Sequence, residues 1–548
     1  MEYLENDIVA RNQKAFLGLI KRLSWILLAF CCSMQLIFHA EITNIYAMGI
    51  VILGWLIVTN VFLRPIILNN FPLSTFLMIG FAAVQLYFPL VFTTLEGKSL
   101  IYNLELPEMV FFHTLAAMVV LTIAHGFYRL LSKITYSRSF SLLGKAGFFD
   151  APSEFQMWGM GIIGLAASLY VYFIAADVSK EVTGAASDKL VQGLVPFCYA
   201  PFFIPFSRLY GGKEPNMKKI GPALIVFTVL LFAISIGRNS RGAFMFGFTS
   251  VGFAYGLGLL LGLFEAKLFT VKNFVIAAFG FWLLTGPVAD LGTAMVIVRG
   301  DRDDISASEL LMLTVDAYGD KESIEARRRD DNTETVDLDW DERYLDNIFT
   351  ARFANIKFND MSLIQYTKMR EYDPDMIDHS VDYILAGLPD PFLKFLGLDV
   401  DKTAVYSLSM GDFIYLVAGG YGTGFIAGFR VGHFAGIGMA TFGWWYLLLL
   451  GLLMIPTFLL FDKFFKKKRV PTDDPGTQRI KFSCCGMLSL TSIFQFLPTE
   501  SVVNIVTFLI RGWIQMAFLY FLIFHATRIA GNMLNLKSQI RFQGSDER

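Results

Sequence analysis

Of 548 residues, 55% are hydrophobic and 17% charged, with 54 phenylalanines, a net charge of −1 and a mean hydropathy of +0.52. A water-soluble globule carries nearer a quarter charged residues, so the composition excludes that class and leaves an all-α polytopic membrane protein. The five cysteines fall in apolar runs, which implies neither a disulfide framework nor a zinc cluster. No cofactor and no nucleic-acid partner is expected.

The first apolar run follows Lys21-Arg22 and is succeeded by many others, so it reads as a retained helix and not as a cleaved signal. Apolar runs of about twenty residues predict spans near 16–38, 43–63, 72–93, 109–130, 155–176, 190–208, 220–236, 243–264, 274–297, 434–461, 482–499 and 502–525, twelve in all. Lysine and arginine orient them. One set of connections carries Arg64, then Arg129, Lys133, Arg138 and Lys145, then Arg208, Lys213, Lys218 and Lys219, then Lys267 and Lys272. Later the same side receives Lys463, Lys466 to Lys468, Arg469, Arg479 and Lys481, whereas the opposite short loops hold only Lys98, Lys180 and Lys189. The positive-inside rule therefore predicts both termini in the cytoplasm.

The chain divides accordingly into spans one to nine over 1–298, an extracytoplasmic loop domain over 299–433, and the last three spans with a cytoplasmic tail over 434–548. Within the loop domain, Asp330-Asp331, Glu334, Asp337, Asp339, Asp341-Glu342 and Asp346 read as a solvated acidic surface. Ile348 to Glu371 mixes apolar and charged residues at helical spacing and predicts an amphipathic helix over the membrane-embedded part. Pro374, Pro389 and Pro391 then break the chain into turns. Ser407 to Gly432 is rich in glycine and aromatics. A single span there would put Lys466 to Arg469 outside, so it reads as a re-entrant segment or broken helix pair lining a cavity.

The chemistry lies in arginine. Ser235 to Phe244 places Arg238 and Arg241 between two apolar spans, where a guanidinium costs several kcal/mol unless it snorkels, meets an anion or faces water. Arg299, Arg302, Arg352, Asp412, Arg430, His433 and Arg511 fall at the same predicted outer ends. Convergent arginines suit a phosphate-bearing ligand, because the planar fork of donors matches phosphate oxygens; a lipid-linked pyrophosphate fits at headgroup depth. The solvated run Arg327-Arg328-Arg329 stands apart. No Walker loop, HExxH, CxxC pair or GxSxG occurs, and Gly419 to Gly424 lacks the lysine of a phosphate loop. His39, His113, His125, His379 and His525 read as isolated structural or interfacial residues; His433 differs in lying beside Arg430.

Ser240-Arg241-Gly242-Ala243, opening an outer-to-inner helix, resembles the SRGA-type pattern of the bacterial O-antigen polymerase and ligase superfamily. Ser409-Met410-Gly411-Asp412-Phe413 followed by Ala418-Gly419-Gly420-Tyr421-Gly422 resembles the Gly-acid-aromatic, Gly-x-x-Gly stretch of Wzy-type repeat-unit polymerases. The resemblance implies an inverting, metal-independent glycosyltransferase of GT-C-like architecture in the bacterial inner membrane. Such an enzyme joins undecaprenyl-pyrophosphate-linked oligosaccharides in polysaccharide or lipopolysaccharide synthesis, with a chain-length regulator as partner. It further implies that Arg241 holds pyrophosphate, that Arg352 matches the family's second essential arginine, and that His379 or His433 corresponds to a ligase histidine; by position Arg238 and Arg430 are further candidates to hold the pyrophosphate, and Asp412 or His433 is the candidate base. Two rival readings remain: a ligase of the same superfamily, and a flippase or transporter of the same lipid-linked saccharide. The transporter predicts repeated halves and midplane charges, whereas here one half carries the long insertion and the charges gather at one face.

Overall fold

The computed structural model describes residues 2–135, 142–171, 191–237, 241–265, 270–298, 307–329, 340–420, 430–469, 478–496 and 501–543. The chain forms two compact units, each assembled from separate stretches of sequence: Met1–Ser137, Leu259–Asp462 and Ser492–Arg511 make the first, and Arg138–Gly258, Lys463–Thr491 and Gly512–Arg548 the second.

Among the described residues seven helices are long and apolar enough to cross a membrane: Ile8–Phe38, Ile42–Phe62, Pro72–Leu95, Pro107–Ser132, Met217–Ile234, Trp445–Asp462 and Val502–Leu534. The protein is thus a multi-pass helical membrane protein. The other apolar runs take different local forms. Residues 190–208 hold a 3-10 helix, Val195–Phe206, because Pro201 and Pro205 inside it remove backbone donors that an α-helix would use. The run 274–297 is two helices, Val271–Thr285 and Pro287–Ile297, parted at Gly286 by the proline that follows. Phe434–Phe442 and Trp445–Asp462 are likewise separate helices, with Gly443 at φ 52° between them. Glu154–Leu169 and Arg241–Leu260 are helical, and the stretch after Phe482 holds only the short helices Cys484–Leu488 and Leu490–Phe494.

The first unit is organised around the helix Ile356–Thr367. Sequence spacing predicts this region as an amphipathic helix lying over the bundle, but the structure buries it on every side. Lys357, Asn359, Asp360, Ser362 and Gln365 are all at most 2% exposed. Its charges are matched internally: Lys357 pairs with Asp360 at 2.8 Å and also donates to the Asn103 carbonyl. Asp360 in turn accepts the backbone N–H groups of Glu105 and Leu106, at the entry to the helix Pro107–Thr135. A carboxylate there satisfies donors that the helix cannot pair itself and favours its positive end. Asn359 donates to the Val110 carbonyl of the same helix. Helix Phe434–Phe442 then packs so closely that a Cβ on Gly436 would stand 2.2 Å from the Ser362 carbonyl carbon. Met361, Ile364, Met410, Ile414 and Ile437 fill the contact.

Of the acidic stretch, Asp330, Asp331, Glu334, Asp337 and Asp339 lie outside the described residues. Asp341 accepts from Asn103, Glu342 from Val431 and Trp340, and Asp346 pairs with Lys98 at 2.6 Å. These carboxylates tie chain segments together, while Glu342 and Asp346 remain exposed to solvent.

The second unit packs Glu154–Leu169, capped by Ser153 and Gln156, against the 3-10 helix; a Cβ on Gly164 would stand 2.0 Å from the Cys198 amide nitrogen. Helix Trp513–Gln543 lies against the same elements, its Phe524 carbonyl accepting from Gln156 Nε2. An antiparallel hairpin of β1, Phe465–Arg469, and β2, Gln478–Phe482, completes what is described of it.

Candidate functional site

Ser409 begins the site as the N-cap of helix Met410–Val417. Its hydroxyl accepts the Asp412 amide at 2.9 Å, and Asp412 reaches back to the Ser409 amide and hydroxyl, a reciprocal capping box. The chain returns to this point at Arg430. There Asp412 Oδ1 accepts both the Arg430 backbone N–H at 3.1 Å and its guanidinium Nη1 at 3.2 Å, while the Ser409 hydroxyl lies 2.7 Å from the Arg430 carbonyl. Such a close return requires glycine at Gly411, where a Cβ would stand 2.3 Å from the Arg430 carbonyl oxygen.

Aromatic rings hold the guanidinium from the other side. Arg430 Cζ sits 3.9 Å from the centre of the Tyr415 ring, a cation–π distance, and Trp340 meets that ring edge-on at 6.0 Å and 87°. Gly420 leaves room for the same tyrosine, since a Cβ there would come within 2.3 Å of the ring. Burial lowers the Arg430 pKa from its ordinary value, but a guanidinium starts so high that it remains the charged partner of Asp412. Next along the chain, Val431 N–H donates to Glu342 Oε1 at 2.9 Å, and Trp340 Nε1 donates to the same oxygen at 3.0 Å. Glu342 lies within electrostatic reach of Arg352 and Asp412.

The fold thus pairs Asp412 directly with Arg430, and Arg352 lies within electrostatic reach of Glu342. His433 lies three residues beyond Arg430, is 1% exposed, and packs its ring against Phe434 at 4.3 Å. Neither of its ring nitrogens has a hydrogen-bond partner among the described residues. Nearby His113, stacked on Trp444, shares a 2.7 Å hydrogen bond with the Tyr446 hydroxyl. His379 stands on helix Pro374–Ala386 and stacks on Phe413 at 3.7 Å and 10°. Burial holds its pKa below the usual histidine value, against the opposing charge of Asp382. Arg511 hydrogen-bonds Tyr406.

Arg241 is the first residue of helix Arg241–Leu260 and belongs to the second unit. Arg238, Arg299 and Arg302 lie outside the described residues. Among the described residues, no group of three or more His, Cys, Asp or Glu side chains is placed to hold a metal ion.

Sequence reading missed Trp340, Tyr415 and Glu342 as parts of this site. The paired glycines 411 and 420 were the signal available, because a glycine on either side of an aromatic helix marks close approach. Compared with protein-family models, with curated proteins and with solved structures, the chain matches none.

Proposed function

We propose that this protein is an O-antigen-type polysaccharide polymerase of the bacterial inner membrane, a twelve-span, GT-C-like glycosyltransferase with both termini cytoplasmic. It takes oligosaccharide from undecaprenyl pyrophosphate and joins it to an acceptor glycan on the outer face. What supports the reading is the Arg430 site: a guanidinium fixed by a carboxylate and an aromatic ring, at a point where the chain comes back to the start of helix Met410–Val417.

In this mechanism Arg430 and Arg352 meet the pyrophosphate oxygens, whose negative charge grows as the bond from sugar C1 to the phosphate oxygen breaks. Arg241 and Arg238 are implicated in holding pyrophosphate by the resemblance alone. Asp412 is saturated by donors from Ser409 and Arg430, so its part is to orient Arg430. His433 is the remaining candidate for the base that takes the proton of the acceptor hydroxyl as that oxygen bonds to C1 from the opposite face; at 1% exposed, its ring meets the hydroxyl only once the residues covering it move aside. Pyrophosphate departs with the electron pair and needs no acid.

The test incubates purified protein with a lipid-linked oligosaccharide and resolves products by size. A ladder is expected. One unit added to a different acceptor would make the protein a ligase, and absence of product with retained substrate binding would favour a transporter.

A further inference from the structure

Between helices Pro374–Ala386 and Met410–Val417 lies a stretch that the proposed glycosyl transfer does not use and whose helices are too short to span a bilayer. Pro389 and Pro391 open the helix Asp390–Phe395, and Gly397, at φ 68°, turns the chain away from it. The apolar side chains here divide by direction. Leu393 is 4% exposed and packs inward, whereas Phe392, Phe395, Leu396 and Leu398 are 50%, 84%, 48% and 39% exposed. Phe392, Phe395 and Leu396 fall at i, i+3 and i+4, so they share one face of the turn. A grouped apolar face on a connecting segment marks a surface that something covers.

The anchors of the stretch identify the covering. At its start a Cβ on Gly387 would stand 3.3 Å from Thr507 Cγ2, and near its end Tyr406 hydrogen-bonds Arg511, all within the first unit. Thr507 and Arg511 belong to the opening turns of the candidate span Val502–Leu534. That span has 33 residues, about 50 Å at the helical rise, against about 30 Å of hydrocarbon, so its opening turns reach the headgroup region, where a guanidinium is also least costly. Lys402 ion-pairs with Asp390 and donates to the Leu388 carbonyl, folding the stretch back on itself at this depth. Its charges point away from an electrostatic partner: residues 388–402 carry Asp390, Asp399 and Asp401 against Lys394 and Lys402, a balance that gives no attraction to anionic headgroups.

We propose that Phe392, Phe395, Leu396 and Leu398 insert among the acyl chains at the edge of the bilayer, making residues 389–398 an interfacial foot of the first unit outside its membrane spans. The two phenylalanines supply the apolar area, Leu393 joins the foot to the protein, and the stem of Lys394 lets its ammonium reach back to water from beside Phe395. The partner is thus lipid hydrocarbon, taken without regard to headgroup charge. The inference does not depend on the glycosyltransferase reading.

The experiment places the full chain, carrying the photoreactive Phe395→p-benzoylphenylalanine, in vesicles of phosphatidylcholine with a minor fraction of phosphatidylglycerol. After irradiation the intact mass is measured and any adduct is fragmented. At 84% exposure the new side chain displaces little of the protein's own packing. The expected product is heavier by one phospholipid, joined through an acyl-chain carbon, with the two lipids captured in proportion to their shares of the bilayer. Phe392→p-benzoylphenylalanine, on the same face, should capture lipid in the same way. Absence of lipid adduct at both positions overturns the proposal, because the face then meets water. A covalent dimer in place of a lipid adduct overturns it in favour of a second copy of this chain. Attachment confined to headgroup atoms, or enrichment of phosphatidylglycerol among the adducts, also overturns it, by showing a surface that meets headgroups and not hydrocarbon.

Discussion

Asp462 and Asp412 are both buried carboxylates of the first unit that accept backbone N–H groups at helix starts, and they differ in what else surrounds them. Asp462 accepts from Leu73 and Ser74 N–H, from the Ser74 hydroxyl at 2.6 Å and from the Tyr128 hydroxyl at 3.0 Å, all neutral donors. Phe458 and His125 pack around it through Tyr128 and Ser74. Asp412 accepts a comparable set but includes a guanidinium, and Arg430 remains 18% exposed at its side chain. The first arrangement closes a junction between helices. The second holds a cation whose side chain stays partly open, at 18% exposure.

Breaking the closed member of the pair should have the largest effect. Asp462→Ala strands the Leu73, Ser74 and Tyr128 donors in an apolar surrounding and should cost about 3–5 kcal/mol, read as a drop in unfolding midpoint in detergent. A midpoint unchanged from the parent protein would show that the junction is not what holds these helices.

Gly411→Ala tests the open member without touching a charged group. Its Cβ would stand 2.3 Å from the Arg430 carbonyl oxygen, so the returning chain must shift. Chain extension should fall at least about a hundredfold, since misplacement of about 1 Å has that cost, with a stability loss of only about 1–3 kcal/mol.

Arg430→Lys sharpens the contrast further. It retains the charge beside Asp412 but loses the planar fork and its stacking on Tyr415, so activity should fall roughly ten- to a hundredfold while the unfolding midpoint barely moves. A larger change in stability than in activity would make Arg430 as structural as the donors around Asp462.

The smallest expected effect concerns His379. Its folded pKa lies below the usual value near 6.5, so the fold favours the neutral ring. That contribution is fully present above about pH 6.5 and is lost as pH falls through the folded value. His379→Phe keeps the stack on Phe413 and should flatten the acid limb of a stability-versus-pH curve while leaving neutral stability within about 0.5 kcal/mol.

Much of the architecture was legible in sequence because membrane insertion leaves a coarse signal: apolar runs mark the long helices from Ile8 to Leu534. What escaped were features that hydropathy does not encode. Proline at 201, 205 and 287 changes the local helix type without changing apolar content. Lys357 and Asp360 look amphipathic in sequence, yet they cancel one another three residues apart and allow full burial. In the candidate site Asp412 and Arg430 were visible as charges, but their pairing across eighteen positions was not. Trp340 and Glu342 sat in a stretch whose acidity suggested solvent, and only the fold brings them under Val431 and Tyr415.

The most direct measurement is the product ladder formed by purified protein and its Arg430→Ala variant from undecaprenyl-pyrophosphate-linked oligosaccharide, each first shown to be folded by its unfolding midpoint. The account predicts extended products from the parent protein and none from the variant. An unchanged ladder from the folded variant would contradict it.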